Sequence, residues 1–279
     1  MTHAKAPFTT EGRSRPARLI GHQRGDTSER NRVCHLDRCA GQILGRYAPR
    51  VSRARNLFGP AVHRARRILE HLGEIAPGTA LAARFGSFGE ASCIAFPTAT
   101  LYGVAGIHIG RETLIGRHCT LTLGYGERQE KVPDKGLVIG DRCVFGAYTT
   151  ITAHDSVLID DDVWFGQGVF VSDSSHGYQD VETPIGRQLG AHAPVRVGAG
   201  TWVGHGAMLL PGTSLGRNCV VAAGAVVRGE VPDHTIVAGV PARVVRRLEP
   251  GVGWVGSNGD VRPAYTAAET ARLLAGHTD

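Results

Sequence analysis

The sequence predicts an all-β solenoid in which short strands and tight corners wind into a three-sided prism. Three observations carry this. In VRVGAGTWVGHGAMLLPGTSLGRNCVVAAGAVVRG, residues 195–229, an aliphatic side chain falls on every sixth position: Val197, Val203, Leu209, Leu215, Val221 and Val227. The same spacing runs through Ile109, Ile115 and Leu121, then Ile139, Phe145 and Ile151, then Ile159, Phe165 and Val171. Four positions after most of these stands a small or compact residue: Thr113, Cys119, Cys143, Thr149, Val163, Val169, Thr201, Ala207, Thr213, Cys219 and Ala225. Six residues are too few for a helix and its loop, and a strand alone would alternate with period two. A short strand plus a corner fits, and three such units close one 18-residue coil. Aliphatic side chains at equivalent positions then stack from coil to coil. The composition agrees, with 38 glycines and 42% hydrophobic but only 6% aromatic residues. The glycine that often follows the aliphatic residue is expected to permit the tight turn.

Along the chain, residues 1–50 lack any period and read as a disordered basic arm. Residues 51–84 read as a basic amphipathic helical segment, with Leu57, Val62, Ile68 and Leu72 among arginines and an interruption near Pro60. FGSFGEASCIAFPTATLYG is the first, irregular coil, and the prism extends over residues 85–247. Residues 248–279 form a C-terminal tail with a short helix. Three breaks in the beat mark insertions. From Ile109 to Ile139 is 30 residues, from Ile139 to Ile159 is 20, and from Ile159 to Val197 is 38. The extra residues fall at GYGERQEKVPDKG, at Ala153–Ser156 and at SDSSHGYQDVETPIGRQLGAHAP. Loops that leave a repeat scaffold carry function.

The net charge of +6 belongs to the N-terminal part, because residues 1–70 hold 15 Lys and Arg against 5 Asp and Glu. A basic arm can meet nucleic acid or an anionic membrane surface, but the segment has no recognition motif and reads as a solvated tail. No membrane span is expected, because no apolar run is long enough. MTHAKAPFTT has no signal-peptide core, so a cytoplasmic protein is expected.

The six-residue beat, the loop SDSSHGYQD…TPIG and the ending AAGAVVRGEVPDHTIVAGVPARVVRR together resemble the hexapeptide-repeat acyltransferases. The likeness is to the galactoside, maltose and nodulation-factor O-acetyltransferase branch and its polysaccharide-modifying relatives, and it covers roughly residues 85–247. It implies a left-handed parallel β-helix, which departs from the right-handed crossover rule. It also implies a homotrimer with acyl-CoA sites between subunits, acetyl-CoA as donor cosubstrate and a loop histidine, here His176, as general base. By the same resemblance WVGHGA is the turn that meets pantetheine, through Gly204 and the backbone of His205. AAGAVVRG continues the contact through Ala222 and Ala223 and brings Arg228 and Gly229 near the phosphates. Arg243 and Arg246 match the basic positions at the nucleotide end. The Asn and Asp that hold the acceptor in the sugar acetyltransferases have no match here.

The chemistry suits His176. An acceptor hydroxyl must become a better nucleophile, and neutral imidazole can take its proton near pH 7, a service worth ~10²–10⁴ in rate. Asp180 or Asp173 could orient the ring, and the sequence does not choose between them. His192 reads as surface, and the N–H of His205 is the first candidate for an oxyanion donor. Trp164 and Trp202 read as core or subunit packing. Cys119, Cys143 and Cys219 read as compact interior hydrophobes. CHLDRC, with Cys34 and Cys39, lacks the usual zinc spacing, so no metal is expected.

The expected function is acyl transfer from acyl-CoA, most simply acetyl-CoA, to a carbohydrate hydroxyl. N-acylation of an amino sugar or antibiotic is the alternative. A γ-type carbonic anhydrase would need three convergent histidines, and His154, His176 and His205 stand at unequal offsets from the beat. A non-catalytic β-helix would have no need of the acyl-CoA ending or the histidine loop.

Overall fold

The computed structural model describes residues 53–127, 129 and 131–275. The chain divides into two compact units, Met1–Pro60 and Ala61–Asp279. The arm expected over residues 1–50, with Cys34 and Cys39, lies outside the described residues. Helix α1, Arg53–Gly73, contains Pro60, so the expected interruption there is not found. Gly59 precedes the proline, and without a Cβ it escapes the clash that normally drives such a residue out of the helical region.

The second unit is built on three parallel sheets, one per prism face. The first face holds strands Ser87–Phe88, Ile107–Ile109, Leu137–Ile139, Val157–Ile159, Val195–Val197, Ser214–Leu215 and Glu230–Val231. The second holds Cys93–Ile94, Leu114–Ile115, Val144–Phe145, Trp164–Phe165, Trp202–Val203, Val220–Val221 and Thr235–Ala238. The third holds Thr100–Tyr102, Thr120–Leu123, Thr150–Ala153, Phe170–Ser172, Met208–Leu209 and Val226–Val227. The chain visits the faces in rotation, which makes six complete coils and the start of a seventh.

Register turns the beat into core columns. On the first face Ile109, Ile139, Ile159, Val197 and Leu215 are mutual neighbours from coil to coil. Ile115, Phe145, Phe165, Val203 and Val221 do the same on the second face, and Leu121, Ile151, Val171, Leu209 and Val227 on the third. All these side chains are buried. The small residues are buried too, and several bond to the next coil: Thr113 Oγ1 donates to Gly140 O at 2.8 Å, and Cys143 Sγ lies 3.2 Å from Asp160 O. Burial pushes the Cys143 thiol up to about 11, so it stays protonated and serves as packing.

The glycine after the aliphatic residue has a different task from the one expected. Gly146 is absent from the positive-φ positions, and the left-handed residue is Tyr148, two places on, with φ 64°. What Gly146 supplies is room: a Cβ there would stand 2.6 Å from Gln167 N and 2.6 Å from Gly166 C, both backbone of the next coil. Coil spacing is set by the sheet hydrogen bonds, so nothing nearby can yield. Gly146→Ala is therefore expected to lower unfolding free energy by about 1–3 kcal/mol, as overpacking does. Gly168 has φ 66° and nothing within 4 Å of a built Cβ, so Gly168→Asn should be nearly neutral, since Asn tolerates the left-handed region. Urea melts of the two variants check the pair.

Past the prism, Arg243–Glu249, Gly253–Gly256 and Val261–Arg262 extend the second face as antiparallel strands. The expected C-terminal helix follows as α2, Ala267–Ala275, but the strands before it were not expected. Burial alternates along RVVRRLE, with Val244, Arg246 and Leu248 half-buried and the residues between them exposed, but the residue types do not alternate, so the sequence carries no period-two sign of this strand. Among the described residues no helix is long and apolar enough to cross a membrane.

Candidate functional site

All three insertions leave the prism at the same corner, between a third-face strand and the next first-face strand, in consecutive coils. The first brings Tyr125, the second His154, and the third His176 and His192. With Ser172, Ser174, Ser175, Leu189 and Gly190 these four line one pocket of about 240 Å³.

His176 is exposed, and its Nδ1 lies 3.2 Å from Gln188 O. A carbonyl only accepts, so Nδ1 is the donor in this contact, and in the neutral ring Nε2 is then the nitrogen with the lone pair. Gln188 is itself fixed: its Nε2 donates to Asp180 O and Thr183 O, each at 2.7 Å, and Gly177 N donates to Gln188 O at 3.1 Å. A short bridge between His176 and Leu189 ties the loop together.

Neither expected carboxylate orients His176. Asp180 Oδ1 accepts from Glu182 N at 2.9 Å and Thr183 N at 3.2 Å, closing a local turn. The Thr183 hydroxyl and these two amides hold its carboxyl below the usual range. Asp173 is fully buried and accepts from the N–H groups of His154, Asp155 and Ser156, at 2.8–3.0 Å. Three successive amides form a cradle that an anion fits, so Asp173 holds the second insertion against the root of the third. The imidazole it meets is that of His154, whose Nδ1 is 3.5 Å from Asp173 Oδ1 and 2.8 Å from Ser174 Oγ. The orienting contact of His176 is thus a backbone carbonyl.

His192 is exposed but is not idle surface. Its Nε2 is 2.8 Å from the Tyr125 hydroxyl, and the rings of Tyr125, His154 and His192 lie 4.8–6.0 Å apart. Tyr125 was missed, though it stands in an insertion that the spacing marks.

The candidate cofactor residues fall elsewhere. Gly204 with His205, and Ala222 with Ala223, are successive turns of one corner, between the second and third faces. Gly204 N donates to Val221 O at 2.7 Å and Gly224 N to His205 O at 2.8 Å. A Cβ on Gly204 would stand 2.6 Å from Ala223 N, so glycine is required there by close approach. The N–H of His205 makes no hydrogen bond within the described chain. Exposed Arg228 and half-buried Gly229 share the His176 corner, in a later coil. Arg243 is exposed. Arg246 departs from expectation: its guanidinium donates to Trp254 O at 2.8 Å and Asp260 Oδ2 at 2.7 Å, and its side chain is only 13% exposed. The antiparallel strands turn it inward, onto their own carbonyls. Trp164 and Trp202, neighbours in register, are both exposed and so outside the core. Among the described residues no three His, Cys, Asp or Glu side chains converge to hold a metal.

Residues 194–229 match the family model described as bacterial transferase hexapeptide (six repeats), and residues 136–172 match hexapeptide repeat of succinyl-transferase. An Escherichia coli K12 protein named putative lipopolysaccharide biosynthesis O-acetyl transferase WbbJ is 32% identical over 134 residues, which are 45% of this chain and 68% of WbbJ. The chain belongs to the hexapeptide-repeat transferase family. The prism of this hexapeptide-repeat transferase is accordingly a left-handed parallel β-helix. A Mycobacterium tuberculosis protein named a probable acetyltransferase is 34% identical over 172 residues, 62% of this chain and 52% of that protein. The chain thus spans about half the length of that relative. Galactoside O-acetyltransferase of E. coli K12 is 26% identical, over 59% of this chain and 64% of that one. A solved structure of a variant of AntD, an N-acyltransferase from Bacillus cereus, in complex with dTDP and coenzyme A, has the same fold. Its TM-score is 0.52 at 17% identity, over 63% of this chain and 91% of that one.

Proposed function

We propose that this protein transfers an acyl group, most simply acetyl, from acyl-CoA to a carbohydrate hydroxyl, with His176 as general base. The observation that carries the proposal is the contact of His176 Nδ1 with Gln188 O at 3.2 Å, on a ring that lines the insertion pocket. A carbonyl at Nδ1 favours the tautomer with its proton there, which makes Nε2 the base of the neutral ring, beside a pocket that His176 shares with Tyr125, three serines and two further histidines. In the reaction, Nε2 takes the acceptor's O–H proton as the oxygen attacks the thioester carbonyl. The tetrahedral oxyanion accepts a hydrogen bond from a backbone N–H, for which His205 is the candidate. Collapse breaks the C–S bond, and the imidazolium returns the proton to the leaving sulfur. Acyl-CoA as donor makes the cytoplasm the compartment of this reading. The relatives named for lipopolysaccharide and galactoside O-acetyl transfer favour an O-linked carbohydrate acceptor.

A homotrimer belongs to this reading, and where the parts lie supports self-association. In one chain His176 and the Gly204–Ala223 corner are separated by the whole third face, so a site that uses both needs a second copy. The outward column Leu114, Val144, Trp164 and Trp202 on the second face offers apolar surface for that contact. Asp173 and Asp180 serve here by shaping the loop. Arg228 and Arg243 are the candidates for the phosphates, with Arg246 bracing the strand that carries Arg243.

The test is release of free thiol from acetyl-CoA against a panel of sugars, amino sugars and glycoconjugates. Turnover with hydroxyl acceptors supports the proposal, and turnover confined to amines replaces it with N-acylation. Arg243→Ala should raise KM for acyl-CoA severalfold with kcat little changed, because a phosphate contact is present equally in ground and transition states. Arg246→Ala should instead lower the melting temperature. Steady-state kinetics and a thermal melt on the two variants separate the roles.

A further inference from the structure

Helix α1, Arg53–Gly73, carries an apolar stripe that the described chain leaves uncovered. Leu57, Phe58, Val62, Ile68, Leu69 and Leu72 are 52–75% exposed. At about 100° per residue these six positions, with Ala61 and Ala65 between them, fill an arc of roughly 140°. The rest of the circumference is polar. The helix sequence holds five arginines against the single acid Glu70, and Glu70 is already engaged, by Arg66 at 2.7 Å and by Arg117 of the prism at 3.0 Å. Arg64 falls beside one edge of the stripe and Arg66 beside the other.

We propose that α1 lies in the interface of an anionic lipid membrane, with its leucine stripe in the acyl boundary and its arginines among the headgroups. Helices that lie in the membrane plane have this form: a long apolar stripe, an arginine-rich polar face and low net hydrophobicity. Arginines that border the stripe can lay their methylene stems along it and raise the guanidinium to phosphate. The charge of residues 1–70, 15 basic against 5 acidic, adds attraction to a negative surface. A nucleic acid would match the charge but leave the leucines in water. The proposal is independent of the acyl-transfer reading, and its readout is binding, so the two can fail separately.

The experiment is co-sedimentation of the full chain with vesicles of phosphatidylcholine alone and of an equimolar mixture with phosphatidylglycerol, alongside light scattering in solution. The expected result is binding to the mixed vesicles that weakens with salt, with little on neutral ones. Leu69→Glu with Leu72→Glu should abolish it without changing the assembly mass. Arg64→Gln with Arg67→Gln should weaken it roughly tenfold or more, at about fivefold per arginine near an anionic surface. All four side chains are exposed, so the variants should melt with the parent. Absence of binding overturns the proposal, and so does undiminished binding of the leucine variant, which would assign the attraction to residues before the helix. A drop in assembly mass in that variant also overturns it, because the stripe would then be a contact between copies of this chain.

Discussion

His176→Ala should reduce kcat by roughly 10²–10⁴ while acyl-CoA binding stays nearly unchanged. Within one chain the ring lies a full face away from the Gly204–Ala223 corner and is not among the residues proposed to hold acyl-CoA, so its loss should remove a proton acceptor and leave the proposed cofactor contacts as they were. Its anchor is Gln188 O at 3.2 Å, a backbone group that survives the substitution, so the loop should keep its shape. His154 is the control. It lines the same pocket and has what His176 lacks, a buried carboxylate at Nδ1. Single-turnover rates of His176→Ala and His154→Ala decide between them. Near-normal kcat in the first with collapse in the second would move the general base to His154 and leave His176 as part of an acceptor clamp. Loss of acyl-CoA binding in His176→Ala would also refute the assignment.

Asp173→Ala should cost about 2–4 kcal/mol of folding stability, since hydrogen bonds to a charged group are each worth about 1.5–3 and water can recover part of the loss. The carboxylate is fully buried, accepts from three consecutive amides and stands beside His154. Alanine leaves those donors without a partner, and both insertions that Asp173 joins should loosen. Asp173→Asn retains one carbonyl acceptor but turns an NH₂ toward the other donors, so it should recover only part of the loss. Urea unfolding gives the energies. Hydrogen exchange at residues 154–156 should rise in the alanine variant, and a variant that melts with the parent and keeps those amides protected would mean that water replaces the carboxylate at no net cost.

The candidate site was only partly legible in the sequence, and His176 shows how. The loop motif marks the residue, but its proton position depends on Gln188, twelve places away in a segment without period. Asp173 and Asp180 both looked available because proximity along the chain says nothing about which donors a carboxylate meets first. Asp173 is taken by the amides at 154–156 and Asp180 by those at 182–183. From the sequence His192 reads as surface because its partner, Tyr125, lies 67 residues earlier.

The order of residues alone specifies what repeats. A six-residue period states which side chains stack, because each coil meets only its neighbours and the same short-range packing recurs at every turn. Ile109, Phe145, Val171 and Leu215 could be assigned to the core from that period, and the three gaps could be located and sized. Their shared corner was even within reach of the spacing, since each gap follows the third aliphatic residue of a coil. Tertiary structure decided what does not repeat. Only the assembled coils bring Tyr125, His154, His176 and His192 around one pocket, turn Arg246 onto Asp260, and separate the His176 corner from the Gly204 corner by a full face. They also reveal that Gly146 is needed for the backbone passing 2.6 Å from its missing Cβ and not for its own dihedral angles. Each of these depends on hydrogen bonds or close contacts between segments with no common period, and no local pattern in a chain specifies such contacts before the coils are stacked.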